Sequence, residues 1–136
     1  MAKKFRGGDW LDEVEEALDK GMRRFLITTQ GKLAAANPVD TGRMASSWLV
    51  GKGGIDTRVD QRTEKGPVTV RPPTVDLDFG PDYYISNSLP YAERVALDPV
   101  YAKGGRRGGA DWFSRIENRL PKDAERAFDF FFKKIK

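Results

Sequence analysis

The sequence predicts an α+β domain, in which a small antiparallel sheet is packed by a long N-terminal helix and a C-terminal helical segment, with long hairpin loops. Two observations lead to this class. Apolar residues recur with a period of about 3.6 near both ends of the chain, whereas the middle alternates short apolar stretches with glycine and proline. The chain has 136 residues, the length of one domain, so we expect a single domain over residues 1–136.

The first predicted helix spans residues 9–36 and follows a basic arm at residues 1–8. Asp9 is the expected N-cap, because its carboxylate can accept a hydrogen bond from a free backbone N–H of the first turn. Acidic side chains dominate the first half of this segment and basic ones the second, an order that complements the helix dipole. Pro38 disfavours helical geometry at the preceding Asn37, so the helix is expected to end there.

A turn and a strand are predicted next. Asp40 or Thr41 is expected to cap a short helical turn. A strand then begins with Trp48, and residues 51–73 are expected to form an extended hairpin loop. Loops of this length are usually functional or disordered, so we expect residues 51–66 to be ordered by a partner rather than within one chain.

Alternation of apolar and polar residues predicts three further strands. They lie at residues 67–71, within the hairpin loop, at residues 74–79 and at residues 83–87. Asp76 and Asp78 would share one face of the second of these strands. We interpret them as part of a solvated face rather than as metal ligands, because the glycine and closing glutamate of a calcium loop are missing.

The C-terminal part is predicted to be helical. A short turn or helical piece at residues 89–95 precedes a Gly-rich basic loop at residues 98–109. Asp111 is the expected cap of the final helix, and Pro121 is expected either to kink this helix or to start a new one. Phe130 points away from the face that the neighbouring phenylalanines share, which favours its burial in an interface.

The absence of two residue types narrows the possible functions. The chain has no cysteine and no histidine, which excludes thiolate nucleophiles, Ser-His-Asp triads and zinc sites built from these ligands. No stretch is long and apolar enough to span a membrane, and no apolar run of a secretory signal follows the basic N-terminus. We expect a protein with no enzymatic activity, no cofactor and no bound metal, which stays in the cytoplasm or in whatever is assembled there.

Two segments resemble signatures of one family. Residues 38–48, Pro-Val-Asp-Thr-Gly-Arg-Met-Ala-Ser-Ser-Trp, are similar to the P-V-D-T-G-x-L-x-x-S-W segment of tail-completion or neck proteins from long-tailed bacteriophages. Residues 87–95, Asn-Ser-Leu-Pro-Tyr-Ala-Glu-Arg-Val, resemble the N-x-x-P-Y-A-x-x-x-E segment of the same family. Family members then show a Gly-rich loop and an aromatic-led C-terminal helix, which correspond here to residues 104–109 and to Trp112 and Phe113.

The resemblance implies a virion structural protein without enzymatic activity, assembled in the host cytoplasm and located in the neck or tail. Copies would form a homo-oligomeric ring, with six copies favoured over twelve because they match a six-fold tail. The ring would complete the neck and join the tail to the head, between portal or adaptor ring proteins and tail tube or terminator proteins. Genomic DNA would pass through its channel, and no membrane would be involved.

The family motif implies structural roles for its residues. The motif positions in this chain are Pro38, Asp40, Thr41, Gly42, Arg43, Trp48, Asn87, Pro90, Tyr91 and Ala92. Gly42 permits a positive φ, Arg43 is expected to pair with an acid of a neighbour, and Trp48 is expected to anchor the sheet to the first helix. Pro90 is expected to fix a turn, and Tyr91 to keep its hydroxyl for a partner.

Four residues are expected at the interface between subunits: Arg106, Arg107, Trp112 and Phe130. The two arginines would meet the acid-rich residues 12–16 of the next subunit, so that charge sets the register of the ring.

Two other functions remain open. A small basic nucleic-acid-binding protein is favoured by the net charge of +4 and the pI of about 9.4, although the chain has no helix-turn-helix, RRM or OB signature. A tail terminator ring protein is the other alternative.

Overall fold

The computed structural model describes residues 7–97 and 111–135, with side chains described from residue 10 onward. Most of the predicted basic arm and the whole Gly-rich basic loop lie outside these residues, and so do Arg106 and Arg107. The elements in the described part are α1 (Gly7–Ala36), β1 (Trp48–Lys52), β2 (Tyr83–Asn87), α2 (Ala92–Leu97) and α3 (Trp112–Phe132). The predicted α+β class is confirmed, because a long N-terminal helix and a C-terminal helix accompany a two-strand antiparallel sheet.

The first helix is 30 residues long and starts earlier than predicted. It begins at Gly7, so Asp9 lies in its first turn and the prediction of Asp9 as N-cap is wrong. Assigned helix ends commonly vary by one or two residues. The C-terminal end agrees with the prediction: the helix stops at Ala36, and the N–H of Asn37 still donates to the carbonyl of Leu33 at 3.0 Å.

The sheet has two strands in the described residues, and they are antiparallel. The register pairs Trp48 with Asn87 at one end and Lys52 with Tyr83 at the other. The strands predicted at Trp48 and at residues 83–87 are therefore confirmed. The residues of β1 from Trp48 to Gly51 are buried, because this strand lies against α1.

The strands predicted at residues 67–71 and 74–79 are wrong, so the connection between β1 and β2 extends over residues 53–82. Backbone groups that would bind a neighbouring strand instead form hydrogen bonds with side chains. The N–H of Thr69 donates to the Ser46 hydroxyl at 2.9 Å, and the carbonyl of Arg71 accepts from the Gln30 amide at 2.8 Å. Proline at positions 67, 72 and 73 removes three ladder donors from the same stretch.

Two clusters of apolar side chains form the core. The larger cluster joins both helices to β1 and α2. Its buried members are Leu33, Met44, Trp48, Leu89, Ala92 and Trp112. The smaller cluster consists of Leu26, Val50 and Leu77, which fastens the irregular part of the connection to α1 and β1.

The C-terminal helix runs through its proline. Pro121 lies inside α3, so it does not start a new helix. Asp111 is the N-cap residue of α3, as predicted, but its side chain makes no cap hydrogen bond; its carboxylate instead pairs with Arg115 at 3.0 Å. Helix α3 packs along α1, and Lys32 joins Asp123 across the two helices at 2.8 Å. In the part of the chain described, no helix has the length and apolar character needed to cross a bilayer.

Candidate functional site

The segment between α1 and β1, residues 37–47, is here called the motif turn, because it contains most of the first family motif. Thr41 supports this turn as predicted: its hydroxyl accepts a hydrogen bond from the N–H of Arg43 at 3.2 Å. Gly42 has φ of +92°, which confirms the expected positive φ. The N–H of Ser46 then donates to the carbonyl of Gly42 at 3.0 Å, which closes one helical turn before β1.

Asn37 and Trp48 fasten the two ends of the motif turn to each other. The indole Nε1 of Trp48 donates to the Asn37 side-chain oxygen at 2.9 Å, and the Asn37 amide donates to the carbonyl of Pro38 at 2.7 Å. The Trp48 ring is stacked on Phe113 at 6.0 Å and meets Trp112 edge-on at 6.3 Å. Trp48 therefore anchors the sheet to α1, as expected, and also to α3.

Arg62 holds the long connection against the motif turn. Its guanidinium donates to the carbonyls of Thr41, Gly66 and Pro67 at 3.3, 3.0 and 2.9 Å, and to the Ser46 hydroxyl at 2.9 Å. The N–H of Gly66 returns a hydrogen bond to the carbonyl of Thr41 at 3.1 Å. The stretch near Arg62 thus has contacts within its own chain, where ordering of residues 51–66 by a partner was expected.

Asp60 is the buried acid of this network and is only 7% exposed. Its carboxylate accepts from Arg62 Nε at 2.7 Å and lies 3.5 Å from a guanidinium nitrogen of Arg71. The side-chain hydrogen bond from Arg62 is the main reason that the pKa of Asp60 lies below its ordinary value, and burial opposes it. The same hydrogen bond raises the pKa of Arg62. Both groups are thus held in their charged forms.

Arg43 contacts the same loop from the motif turn. Its Nε donates to the carbonyl of Asp60 at 2.7 Å. Beside it, the Ser47 hydroxyl donates to the carbonyl of Arg43 at 2.6 Å and accepts from the N–H of Asp60 at 2.9 Å. The structure thus gives Arg43 a carbonyl of its own chain as a partner, where an acid of a neighbouring subunit was expected.

The second motif meets the first through Asn87. Its amide donates to the carbonyl of Met44 at 2.8 Å, across 43 positions of sequence. Its side-chain oxygen accepts from the N–H of Leu89 at 3.3 Å, and the N–H of Ala92 donates to the carbonyl of Leu89 at 3.0 Å. Pro90 lies in this turn, as expected, and Ala92 is buried in the core as the first residue of α2.

The two motifs together line an open groove of about 780 Å³, which we call the motif groove. Its lining residues are Pro38, Val39, Asp40, Thr41, Gly42, Arg43, Met44, Arg62, Thr63, Tyr91 and Val95. Tyr91 is 41% exposed, and its hydroxyl makes no hydrogen bond to the described residues. The groove therefore combines an apolar surface with two arginine side chains, Arg43 and Arg62, that are already held by internal contacts.

The residues expected at the subunit interface lie in different environments. Trp112 is 1% exposed, because its ring fills the core between α1, α2 and β1, so the prediction of Trp112 at an interface is wrong. Phe130 is 44% exposed, and the Arg24 guanidinium lies 4.2 Å from its ring centroid. Its ring remains available to a partner. Arg106 and Arg107 lie outside the described residues.

Several residues of the network were not anticipated from the sequence. Gln30, Asn37, Ser46 and Asp60 are all buried, and each binds atoms distant in sequence or at the ends of a turn. Gln30 donates to the carbonyls of Trp48 and Arg71, both at 2.8 Å, which joins α1 to β1 and to the connection. The sequence signal for Gln30 is its position in the C-terminal half of α1, between Leu26 and Leu33.

Of the two acids considered as metal ligands, Asp78 has partners within the chain for its carboxylate. Asp78 Oδ1 accepts from Lys52 Nζ at 2.6 Å and lies 3.1 Å from the Tyr83 hydroxyl. The hydrogen bond from Lys52 is the largest cause of the lowered pKa of Asp78. Within residues 7–97 and 111–135, no group of three or more acidic side chains is arranged to hold a metal ion.

Comparison with known proteins adds no relative. No protein-family model, no curated protein and no solved structure matches this chain. The resemblance to neck proteins therefore depends on the two motifs and on their order in the sequence.

Proposed function

We propose that this chain is a structural protein of the bacteriophage neck, which forms a ring around the DNA channel and joins the tail to the head. The observation that carries the proposal is the contact between the two family motifs. Asn87 of the second motif binds the backbone of Met44 in the first, and both motifs line one groove. Their residues hold backbone segments together, which is the task of a structural motif rather than of a reaction site.

The pairing of the cations favours this function over the nucleic-acid-binding alternative. Residues 51–73 contain five cations, and four of them contact carboxylates of the same chain. The pairs are Lys52 with Asp78, Arg58 with Asp56, and both Arg62 and Arg71 with Asp60. A cation that is already paired releases fewer counterions from DNA, so this loop is a weaker phosphate-binding surface than the pI suggests.

The direct test is the location of the chain in phage particles that contain it. Antibodies against the purified chain, carrying gold, should label the head–tail junction in electron micrographs. Label along the tail, or on the capsid away from the neck, would contradict the proposal.

A solution experiment separates the two function classes. The purified full-length chain should form rings in negative-stain images and bind duplex DNA only weakly. The nucleic-acid alternative instead predicts a monomer that binds tightly, with an affinity that falls by orders of magnitude between about 50 and 200 mM salt.

A further inference from the structure

The N-terminal end of α1 carries exposed apolar side chains beside acids. Trp10 is 46% exposed and Leu11 is 53% exposed. Asp12, Glu13 and Glu15 are also exposed, and none of these acids forms an ion pair with a described residue. We call residues 10–16 the acidic knob. An exposed tryptophan of this kind is a typical anchor of protein interfaces.

The opposite end of α1 forms a groove with the start of α3. It has a volume of about 450 Å³, and we call it the basic groove. Its lining residues are Lys32, Ala35, Ala36, Trp112, Arg115, Ile116, Arg119 and Asp123. Its alanine and isoleucine side chains provide an apolar floor above the buried Trp112 ring, and three cations surround the groove.

The cations of the basic groove exceed the acids available to them. Lys32 is paired with Asp123. Arg115 is paired with Asp111, and the side chain of Asp111 is more than half exposed to solvent. Arg119 is exposed and forms no ion pair within the described parts of the chain. An acidic partner with an apolar anchor would therefore match both the charge and the floor of this groove.

We propose that the acidic knob of one copy of this chain docks in the basic groove of the next copy. Glu13 and Lys32 are separated by 19 positions of one helix, or about 28 Å at 1.5 Å per residue, so the two surfaces cannot meet within one chain. Contact between different surfaces of identical subunits is heterologous, and it generates a ring when the rotation per subunit closes. The inference rests on the proposed function, because a neck protein requires such a closed ring.

Disulfide cross-linking tests the contact directly, because the chain contains no cysteine of its own. Variants E13C and R119C are mixed in equal amounts and oxidised. We expect a dimer that joins one chain of each kind, and a ladder of larger species from the variant that carries both substitutions. The matched control replaces R119C by K65C, at an exposed lysine of the long connection, and should give only the background of random collisions.

Charge reversal provides a second test of the contact between knob and groove. The groove variant R115E/R119E and the knob variant D12R/E13R should each self-associate about tenfold more weakly than the unchanged chain at low salt. In a mixture of the two variants, each knob meets a groove of opposite charge, so assembly should be restored. A merely structural effect of the substitutions would not be rescued by mixing.

The possible failures are distinguishable. Rings that form without the 13–119 cross-link, and that tolerate both reversals, would overturn this interface and leave the proposed function intact. A chain that stays monomeric at high concentration would overturn the interface and would also contradict the rings expected from the proposed function. Tight binding of duplex DNA by monomers, abolished by R115E/R119E, would assign the basic groove to DNA and would overturn the interface and the proposed function together.

Discussion

Substitution of Gly42 is the sharpest test of the motif turn, because a side chain at this position would destabilise the fold in two separate ways, by backbone strain and by steric overlap. Its φ of +92° strains any residue with a side chain, at a cost of about 1–2 kcal/mol. A Cβ at this position would also lie 2.6 Å from the Arg62 guanidinium and 2.8 Å from the carbonyl oxygen of Gly66. Gly42→Ala must therefore push Arg62 away from the carbonyls that it binds.

The expected loss for Gly42→Ala is about 3–5 kcal/mol in the free energy of unfolding. Backbone strain supplies about 1–2 kcal/mol of this. Losing or lengthening the hydrogen bonds of Arg62 supplies the rest, since a hydrogen bond to a charged group contributes about 1.5–3 kcal/mol. From a total stability of about 5–15 kcal/mol this loss is large, so the variant should show a much lower urea midpoint and would be marginally folded at the low end of that range.

Two other glycines provide matched controls. Gly53 has φ of +75° with no atom within 4 Å of the added Cβ, so Gly53→Ala should cost only the strain, about 1–2 kcal/mol. Gly54 has neither a positive φ nor a neighbour within that distance, so Gly54→Ala should change the stability by less than about 1 kcal/mol. Urea unfolding of the three variants measures the differences. A loss at Gly42 no larger than that at Gly53 would refute the account of the Arg62 network.

Three further predictions concern the core, acid stability and assembly. Trp48→Ala should lower the free energy of unfolding by about 3–5 kcal/mol, because the ring fills the larger core cluster; an unchanged melting temperature would contradict this. The pKa of Asp60 is lowered by folding, so its stabilising contribution is complete above the unfolded value of about 3.9 and is lost as pH falls through the lower folded value. Asp60→Asn should therefore destabilise the protein at pH 7 and flatten the decline measured below about pH 4. Phe130→Ala should leave the melting temperature nearly unchanged but block incorporation into particles, whereas Arg106→Ala with Arg107→Ala should only slow assembly, more at low salt than at high salt; unfolding of the Phe130 variant would contradict this assignment.

The motif groove and the basic groove lie at different places and have different characters. In the motif groove, the guanidinium groups of Arg43 and Arg62 are held by carbonyls of the chain, and Arg62 is also paired with Asp60. In the basic groove, Arg119 has no ion-pair partner in the described chain. Charge that is not matched within a subunit is available to attract a partner and to fix its orientation. The basic groove is therefore the stronger candidate for contact between subunits, whereas the first motif maintains the subunit itself.

The local sequence was sufficient to predict those features of the fold that are set by residues adjacent in the chain. The end of α1 follows from the steric effect of Pro38 on Asn37, and the positive φ of Gly42 follows from the lack of a side chain. The strand at Trp48 and the second strand at residues 83–87 were also predicted, as was the α+β class. Each of these features depends on the steric preferences or the periodicity of a short segment.

Only the tertiary structure decided how residues 53–82 are held. Residues 67–71 alternate like a strand, yet the backbone groups of Thr69 and Arg71 bind Ser46 and Gln30. The same holds for Trp112, which was expected at a subunit interface but is completely buried, because α1 and β1 pack against it from elsewhere in the chain. A buried backbone group must find a partner, and nothing in the local sequence indicates whether that partner is another strand or a distant side chain.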